Sequence, residues 1–205
     1  MRLFAAVNFS DEIKSQILSL QEQLRSRVLC GNFSRSENLH MTLIFLGEIP
    51  EEKLKILFGI IDEIQAPDFE IWFNRTGCFA RSGKELWWLG ADRNSPGFQV
   101  LLSVHKQLLC RLLDAGFPSG PDRIDTRPFN AHITLGREIK HTGPVILEKP
   151  DIRVKVNRIS LMKSEHVRGV LTYTEIYGKG STPSMEDFPH NSMIKRSSPM
   201  ATPEH

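Results

Sequence analysis

The sequence predicts an α+β fold, a mixed α/β arrangement of sheet and outer helices, from three observations. Short apolar runs bounded by turn residues alternate with segments whose apolar positions recur every three or four residues. Strand–helix–strand units stand beside hairpin-like strand pairs, so a mixed sheet covered by helices is expected rather than a purely parallel one. A four-residue pattern also recurs in two distant strands. It divides the chain near residue 95 into two strand-and-helix halves, as a duplication with two lobes sharing one cleft would.

"LFAAVNF" is a short apolar strand that ends at Ser10. Ser10 is placed to cap a helix, and Asp11 and Glu12 complement the positive end of its dipole. Ile13, Ile17, Leu20, Leu24 and Val28 form one apolar face of that helix. "CGNFSRSEN" reads as a polar loop feeding the strand "NLHMTLIFLG". Pro50 opens a second helix, with Leu54, Leu57, Ile60, Ile61 and Ile64 inward. "FEIWFNRTGCFA" and "ELWWLGAD" read as strands joined by a turn at "RSGK".

Ser95-Pro96 opens a third helix, which buries Leu101, Val104, Leu108 and Leu112 and ends at Gly116. The loop "FPSGPDRIDTRPFN" delivers the chain into "NAHITLGR". "IRVKVNRISLMKS" and "LTYTEIYG" complete the strands, giving one domain over residues 1–178. Residues 179–205 are rich in Ser and Pro without period and read as a disordered tail.

The chain of 205 residues is long enough for one well-buried core. A net charge of +2 is too small for a nucleic-acid coat or a membrane-binding surface. An anionic ligand therefore requires a local pocket. Cys30, Cys78 and Cys110 are odd in number and widely spaced, which fits a reducing, cytoplasmic setting rather than a disulfide framework. "MRLFAAVNFSDE" is a poor signal peptide, and no apolar run approaches the roughly 20 residues that span a bilayer.

The repeated pattern carries the chemistry. Asn38, His40, Thr42 and Leu43 match Asn130, His132, Thr134 and Leu135 place for place. Strand alternation projects each His with its Thr, while Leu39, Met41 and Leu43, or Ala131, Ile133 and Leu135, face the core. One such motif is usually a satisfied polar position on a half-buried strand. Two copies imply a common task, because burying two idle imidazoles costs desolvation twice.

A histidine pair at neutral pH holds one base and one acid. That pair serves in-line displacement at phosphorus: one ring takes the proton of attacking water, the other protonates the departing oxygen. Thr42 and Thr134 would hold the non-bridging oxygens, and Arg137 would fork onto them. Alternation puts Arg137 off the His132 face unless the strand bends at Gly136.

With "RLFAAVNF", "HMTLIFLG", "RPFNAHITLGR" and "LMKSEHVRGVLTYTEIY" in place, the sequence resembles the two-histidine phosphoesterase superfamily. Within it, the chain is similar to the bacterial RNA 2′,3′-cyclic phosphodiesterases once described as 2′-5′ RNA ligases. The resemblance covers most of residues 1–178. It implies a bilobal fold of two pseudo-duplicated sheet lobes, with the HxT motifs lining a central cleft. It also implies metal-independent opening of a 2′,3′-cyclic phosphate to a 2′-phosphate, with no cofactor.

By position, His40, Thr42, His132 and Thr134 are the implied catalytic residues and Arg137 a phosphate contact. Because the 3′ oxygen leaves, His40 is assigned as acid and His132 as base, although the symmetric motifs do not themselves choose. Ala131 stands where relatives commonly carry proline, and Ser164, Gly169 and Tyr173 form the closing pattern. The expected partner is RNA with cyclic phosphate ends, or a small cyclic nucleotide, bound by a monomer. The rival readings are a phosphodiesterase or ligase acting on 2′-5′ linkages or another cyclic nucleotide, and a non-catalytic nucleotide- or RNA-binding module.

Arg127, in the segment before the second motif, and Lys163 are further candidates for phosphate contact. Phe45, Trp87 and Trp88 are candidates for base stacking, although adjacent tryptophans face opposite ways. His105 reads as a helix-surface or partly buried residue, His141 follows a turn, His166 sits in an exposed loop, and His190 and His205 lie in the tail. No Asp, Glu or Cys near His40 and His132 offers a third ligand, so no metal is expected.

Overall fold

The computed structural model describes residues 1–81, 84–120 and 123–180. The strands are β1 (Arg2–Asn8), β2 (Cys30–Phe33), β3 (His40–Glu48), β4 (Phe69–Arg81), β5 (Lys84–Ala91), β6 (His132–Lys140), β7 (Ile152–Val156), β8 (Arg158–Val167) and β9 (Val170–Gly180). The helices are α1 (Asp11–Arg25), α2 (Leu54–Glu63) and α3 (Pro96–Asp114). All strands belong to one curled sheet of order β7-β4-β5-β6-β3-β1-β8-β9, with β2 also on β6. The two motif strands are central neighbours, paired at Met41 and Ile133.

Every pairing between these strands is antiparallel, not mixed as expected. A strand–helix–strand unit whose chain returns directly gives parallel neighbours. Here an extra traverse intervenes in each unit: residues 26–39 between α1 and β3, and residues 115–131 between α3 and β6. That traverse reverses the direction of the motif strand against β1 and β5.

Ser10 caps α1 by accepting from the Ile13 N–H, and Ser95 caps α3 by accepting from the Phe98 N–H. Gly116 ends α3 at φ 75°, a left-handed conformation that suits glycine. The second helix departs from expectation: Pro50 precedes a short 3-10 turn over Glu51–Lys53, and α2 starts at Leu54. "CGNFSRSEN" is not all loop, because β2 pairs Asn32 with Arg137 and Phe33 with Gly136. "IRVKVNRISLMKS" divides at Asn157, since β7 pairs with β4 whereas β8 pairs with β1 on the far side of the motif strands.

The helices cover one sheet face, whose core runs continuously through Leu24, Met41, Leu43, Phe73, Leu101, Ile133 and Leu135. On the motif face lies a separate small cluster of Phe4, Ala6 and Met162, flanked by Phe45 and Tyr173. β9 continues to Gly180, and the Lys179 ammonium donates to the Asp62 carbonyl at the end of α2. No described helix is long and apolar enough to cross a membrane. Of the expected tail over 179–205, Lys179 and Gly180 belong to β9 instead, and 181–205, with His190 and His205, lie outside the described residues, as do Ser82 and Gly83 of the expected turn.

Candidate active site

His40 and His132 are anchored alike. Nδ1 of His40 lies 2.7 Å from the Asn38 carbonyl, and Nδ1 of His132 lies 2.8 Å from the Asn130 carbonyl. A carbonyl only accepts, so both rings carry their proton on Nδ1 and keep the Nε2 lone pair for chemistry. Nε2 of His40 is 3.0 Å from the Thr42 hydroxyl, which donates to it while the ring is neutral. Burial pushes both imidazoles below the ordinary histidine pKa, and the nearby Arg137 charge lowers both further. The backbone carbonyls partly oppose this.

The strands then break their own alternation, in the same way and at the same place. On β3, Ala6 opposes Thr42 but Ala5 opposes Ile44, so Leu43 has no partner on β1. On β6, Trp88 opposes Thr134 but Trp87 opposes Gly136, so Leu135 has no partner on β5. Each is a β-bulge directly after the HxT triplet, and a one-residue bulge moves every later side chain to the other face. Phe45 and Arg137 therefore rejoin the motif face. The bend expected at Gly136 is achieved by this bulge, and Glu138 turns the chain again at φ 54°.

Bulges strand backbone groups in the core, and buried side chains meet that need. His105 is 6% exposed, and its Nδ1 donates to the Leu43 carbonyl across 2.9 Å. Gln21 is 4% exposed and donates through Nε2 to the Leu135 carbonyl across 2.7 Å. The assignment crosses over: α1, which follows β1, supports the bulge of β6, and α3, which follows β5, supports that of β3.

A cavity of about 570 Å³ is bordered by both histidines and both threonines. Arg2, Arg35, Arg127 and Arg137 also border it, and no carboxylate does among the described residues. Arg35 pairs with Glu37 and Arg127 with Asp125, whereas no described ion pair engages Arg137. Antiparallel pairing through Met41 and Ile133 sets Phe45 beyond His132 at one end and Arg137 beyond His40 at the other. The arrangement suits a small anion gripped between two imidazoles.

Other candidates divide. Arg127 is at the cavity, its guanidinium 2.6 Å from Asp125. Lys163 is not there: alternation along β8 turns it away, and it pairs with Glu165 at 2.7 Å, while neighbouring Ser164 borders the cavity. Trp87 is buried and donates to Glu85. Trp88 lies on the motif face but is packed over Gly77 and Gly90, where an added Cβ would meet its ring at 2.5 and 2.6 Å. Phe45 does border the cavity.

His105, expected near a helix surface or partly buried, is buried among the core residues. His141 forms a 3.0 Å pair with Glu85, which raises its pKa. Among the described residues no cluster of His, Cys, Asp and Glu suited to a metal is gathered.

Sequence reasoning missed Asn38, whose amide donates to the Leu171 carbonyl and whose Oδ1 accepts from the Tyr173 N–H, tying the β8–β9 hairpin to the first motif. Tyr173 and Phe4 then pack on His40, at centroid distances of 5.1 and 4.8 Å. The match of Asn38 with Asn130 was the available signal, read only as part of the repeat.

Comparison with known proteins places this chain among phosphoesterases. Residues 7–88 match the family described as LigT-like phosphoesterase. The chain is 32% identical to an RNA 2′,3′-cyclic phosphodiesterase of Archaeoglobus fulgidus over 149 residues, 72% of this chain and 78% of the relative. It is 30% identical to the Escherichia coli protein of the same name over 175 residues, 85% of this chain and 93% of the relative. The crystal structure of E. coli LigT complexed with 3′-AMP superposes with a TM-score of 0.74 at 28% identity, covering 89% of this chain and 98% of that one.

Proposed function

The chain belongs to the LigT-like phosphoesterase family, and from that premise we propose that it is an enzyme that hydrolyses 2′,3′-cyclic phosphate ends of RNA or nucleotides to 2′-phosphates. The observation that carries the reading is one cavity holding two Nδ1-anchored imidazoles and four arginines, with no carboxylate among the described residues. A monoanionic ring phosphate is attracted there, and its charge favours reprotonation of one imidazole whose pKa burial had lowered. The bound site thus holds one base and one acid.

In the proposed reaction Nε2 of His132 takes a proton from water as the water oxygen bonds to phosphorus. The bond from phosphorus to O3′ breaks, and Nε2–H of His40 protonates O3′, leaving a 2′-phosphate and a 3′-hydroxyl. His132 suits the base because no described side chain hydrogen-bonds its Nε2, whereas that of His40 is engaged by Thr42. Thr42, Thr134 and Arg137 stabilise the charge gathering on the non-bridging oxygens, with Arg127 a lesser phosphate contact.

We read the fold as two pseudo-duplicated lobes around this cleft, β1–α1–β3 matching β5–α3–β6. The matched bulges after Thr42 and Thr134 support that reading. Residues 1–178 would form the catalytic domain and act as a monomer, since one chain supplies both motifs. The three free cysteines suit a cytoplasmic location.

The test is a short RNA ending in a 2′,3′-cyclic phosphate, with the product read by phosphorus NMR. A 2′-phosphomonoester is expected. An intact ring or a 3′-phosphate would overturn the reading, and cleavage of a 2′-5′-linked dinucleotide alone would redirect it.

A further inference from the structure

We infer that the arginine end of the reaction cavity, between Arg35 and the β8–β9 hairpin, is a subsite for the internucleotide phosphate next to the reacting one. The enzyme would then favour RNA ends over single cyclic nucleotides. This rests on the proposed reaction and adds to it the course of the polynucleotide and the residue that senses its length.

The course follows from the acid. His40 protonates O3′, so the ribose carrying O3′ lies on the His40 side of the phosphorus, and the chain attached through C5′ continues away from His132. Three elements meet at that end. β6 brings Arg137, paired with Asn32 of β2. The link from β2 to β3 brings Arg35, and the hairpin brings Val170 and Leu171. All of them border the one cavity, whose volume of about 570 Å³ has room for more than one sugar phosphate.

Charge identifies the occupant. A ring phosphate is a monoanion, and Arg137, engaged in no described ion pair, already answers it. Arg35 is a cation beyond that need. Its side chain is 51% exposed and meets Glu37 through one nitrogen at 3.1 Å. An exposed pair of this kind contributes little, so the guanidinium can turn its other N–H groups onto a phosphodiester. No carboxylate among the described residues borders the cavity to repel one.

The hairpin supplies a fixed wall opposite. Its turn is Arg168 and Gly169, at φ 51° and 79°, the mirror-image turn that matches the twist of paired strands. Asn38 holds it through the Leu171 carbonyl and the Tyr173 N–H. Val170 and Leu171 are 43% and 38% exposed, an apolar edge suited to the sugar of the second nucleotide. The exposed Arg168 carries positive charge past that edge, along the path of a longer chain.

The experiment compares kcat/KM for an adenosine dinucleotide ending in a 2′,3′-cyclic phosphate with that for adenosine 2′,3′-cyclic phosphate. The dinucleotide should be preferred about 10-fold, a charged hydrogen bond at the weak end of its range because Arg35 is half exposed. Its rate should also fall more steeply with salt, by about 0.7 in the logarithmic slope for the one added phosphate. A neutral methylphosphonate at the internucleotide position, or Arg35→Gln, should each remove both differences. Arg35→Lys should keep the steeper salt slope, and Lys163→Gln, on a side chain turned away from the cavity, should keep both differences. Equal rates for the two substrates with the unaltered enzyme would overturn the inference, as would a preference that survives Arg35→Gln or the methylphosphonate.

Calorimetric binding of adenosine 2′-phosphate and of the adenosine dinucleotide ending in a 2′-phosphate separates this failure from failure of the reaction. Tighter binding of the dinucleotide that Arg35→Gln abolishes would uphold the subsite even without turnover. Equal affinities would sink it, while turnover of the single cyclic nucleotide would leave the reaction standing.

Discussion

Replacing His105 tests how the fold aims its site. The imidazole makes two separable contacts: Nδ1–H donates to the carbonyl stranded by the first bulge, and the ring stacks on Phe129. His105→Phe keeps the stack and leaves the Leu43 carbonyl buried and unpaired, at a cost of about 1–3 kcal/mol. His105→Asn keeps a donor at the Nδ1 position and loses the stack, about 0.5–1.5 kcal/mol. His105→Ala loses both, about 2–4 kcal/mol. At roughly 2–4 °C per kcal/mol for a chain of this size, the melting temperature should fall by about 5 °C for Phe and about 10 °C for Ala. Asn should fall least.

The assay is thermal unfolding followed by circular dichroism, with KM measured on the same proteins. Because the bulge delivers Phe45 to the motif face, the Phe and Ala variants should raise KM more than they lower kcat. Wild-type melting and wild-type KM in His105→Phe would refute the claim that this imidazole supports the bulge. Gln21→Leu makes the same test at the other bulge, where Arg137 is the side chain that should lose its aim.

Further outcomes follow from the same site. Burial holds the imidazoles of His40 and His132 below the ordinary value of about 6.5, so under the proposed reaction kcat/KM should be bell-shaped and centred on the acid side of that value. It falls at higher pH as the acid loses its proton and at lower pH as the base gains one; a single-limbed profile would contradict a paired acid and base. The depressed folded-state pKa values of His40, His105 and His132 give a matching sign for stability. Their contribution is full above about 6.5 and is lost as pH falls through the folded-state values, because the unfolded chain then binds more protons. Urea unfolding at pH 7.5 and pH 5 should show it. Arg137→Gln should lower kcat/KM about 10- to 100-fold, a charged hydrogen bond to phosphate, without changing the melting temperature. Extensive dialysis against a chelator should leave turnover intact, and rates restored only by added metal would revise the mechanism.

Much of this was legible in the chain. Ser10 and Ser95 announced two helices because capping is local chemistry, and the alternation of His40, Met41 and Thr42 fixed which side chains share a face. The bulges were not legible. A period-two reading carries Thr42 on to Ile44 and Thr134 on to Gly136, whereas the ladder skips Leu43 and Leu135. Only the adjacent apolar pairs Leu43-Ile44 and Leu135-Gly136 hinted at a slip.

The supporting roles of His105 and Gln21 were hidden for a related reason: the carbonyls they satisfy lie 62 and 114 residues away in sequence. Antiparallel order was misjudged because strand–helix–strand spacing does not show how often the chain crosses the molecule before pairing. Lys163 was offered from its place in the closing segment, without a register that would show which way it turns.

The division of labour between the two imidazoles is the claim on which the mechanism stands, and a substrate with sulfur in place of the bridging 3′ oxygen tests it. A thiolate departs without a proton, so an enzyme lacking its acid should be rescued and one lacking its base should not. His40→Ala and His132→Ala should each lose about 10²- to 10⁴-fold on the oxygen substrate. On the sulfur substrate His40→Ala should return close to the unaltered rate, with His132→Ala still impaired. Equal rescue of both variants, or of neither, would contradict the assignment of His40 as acid and His132 as base.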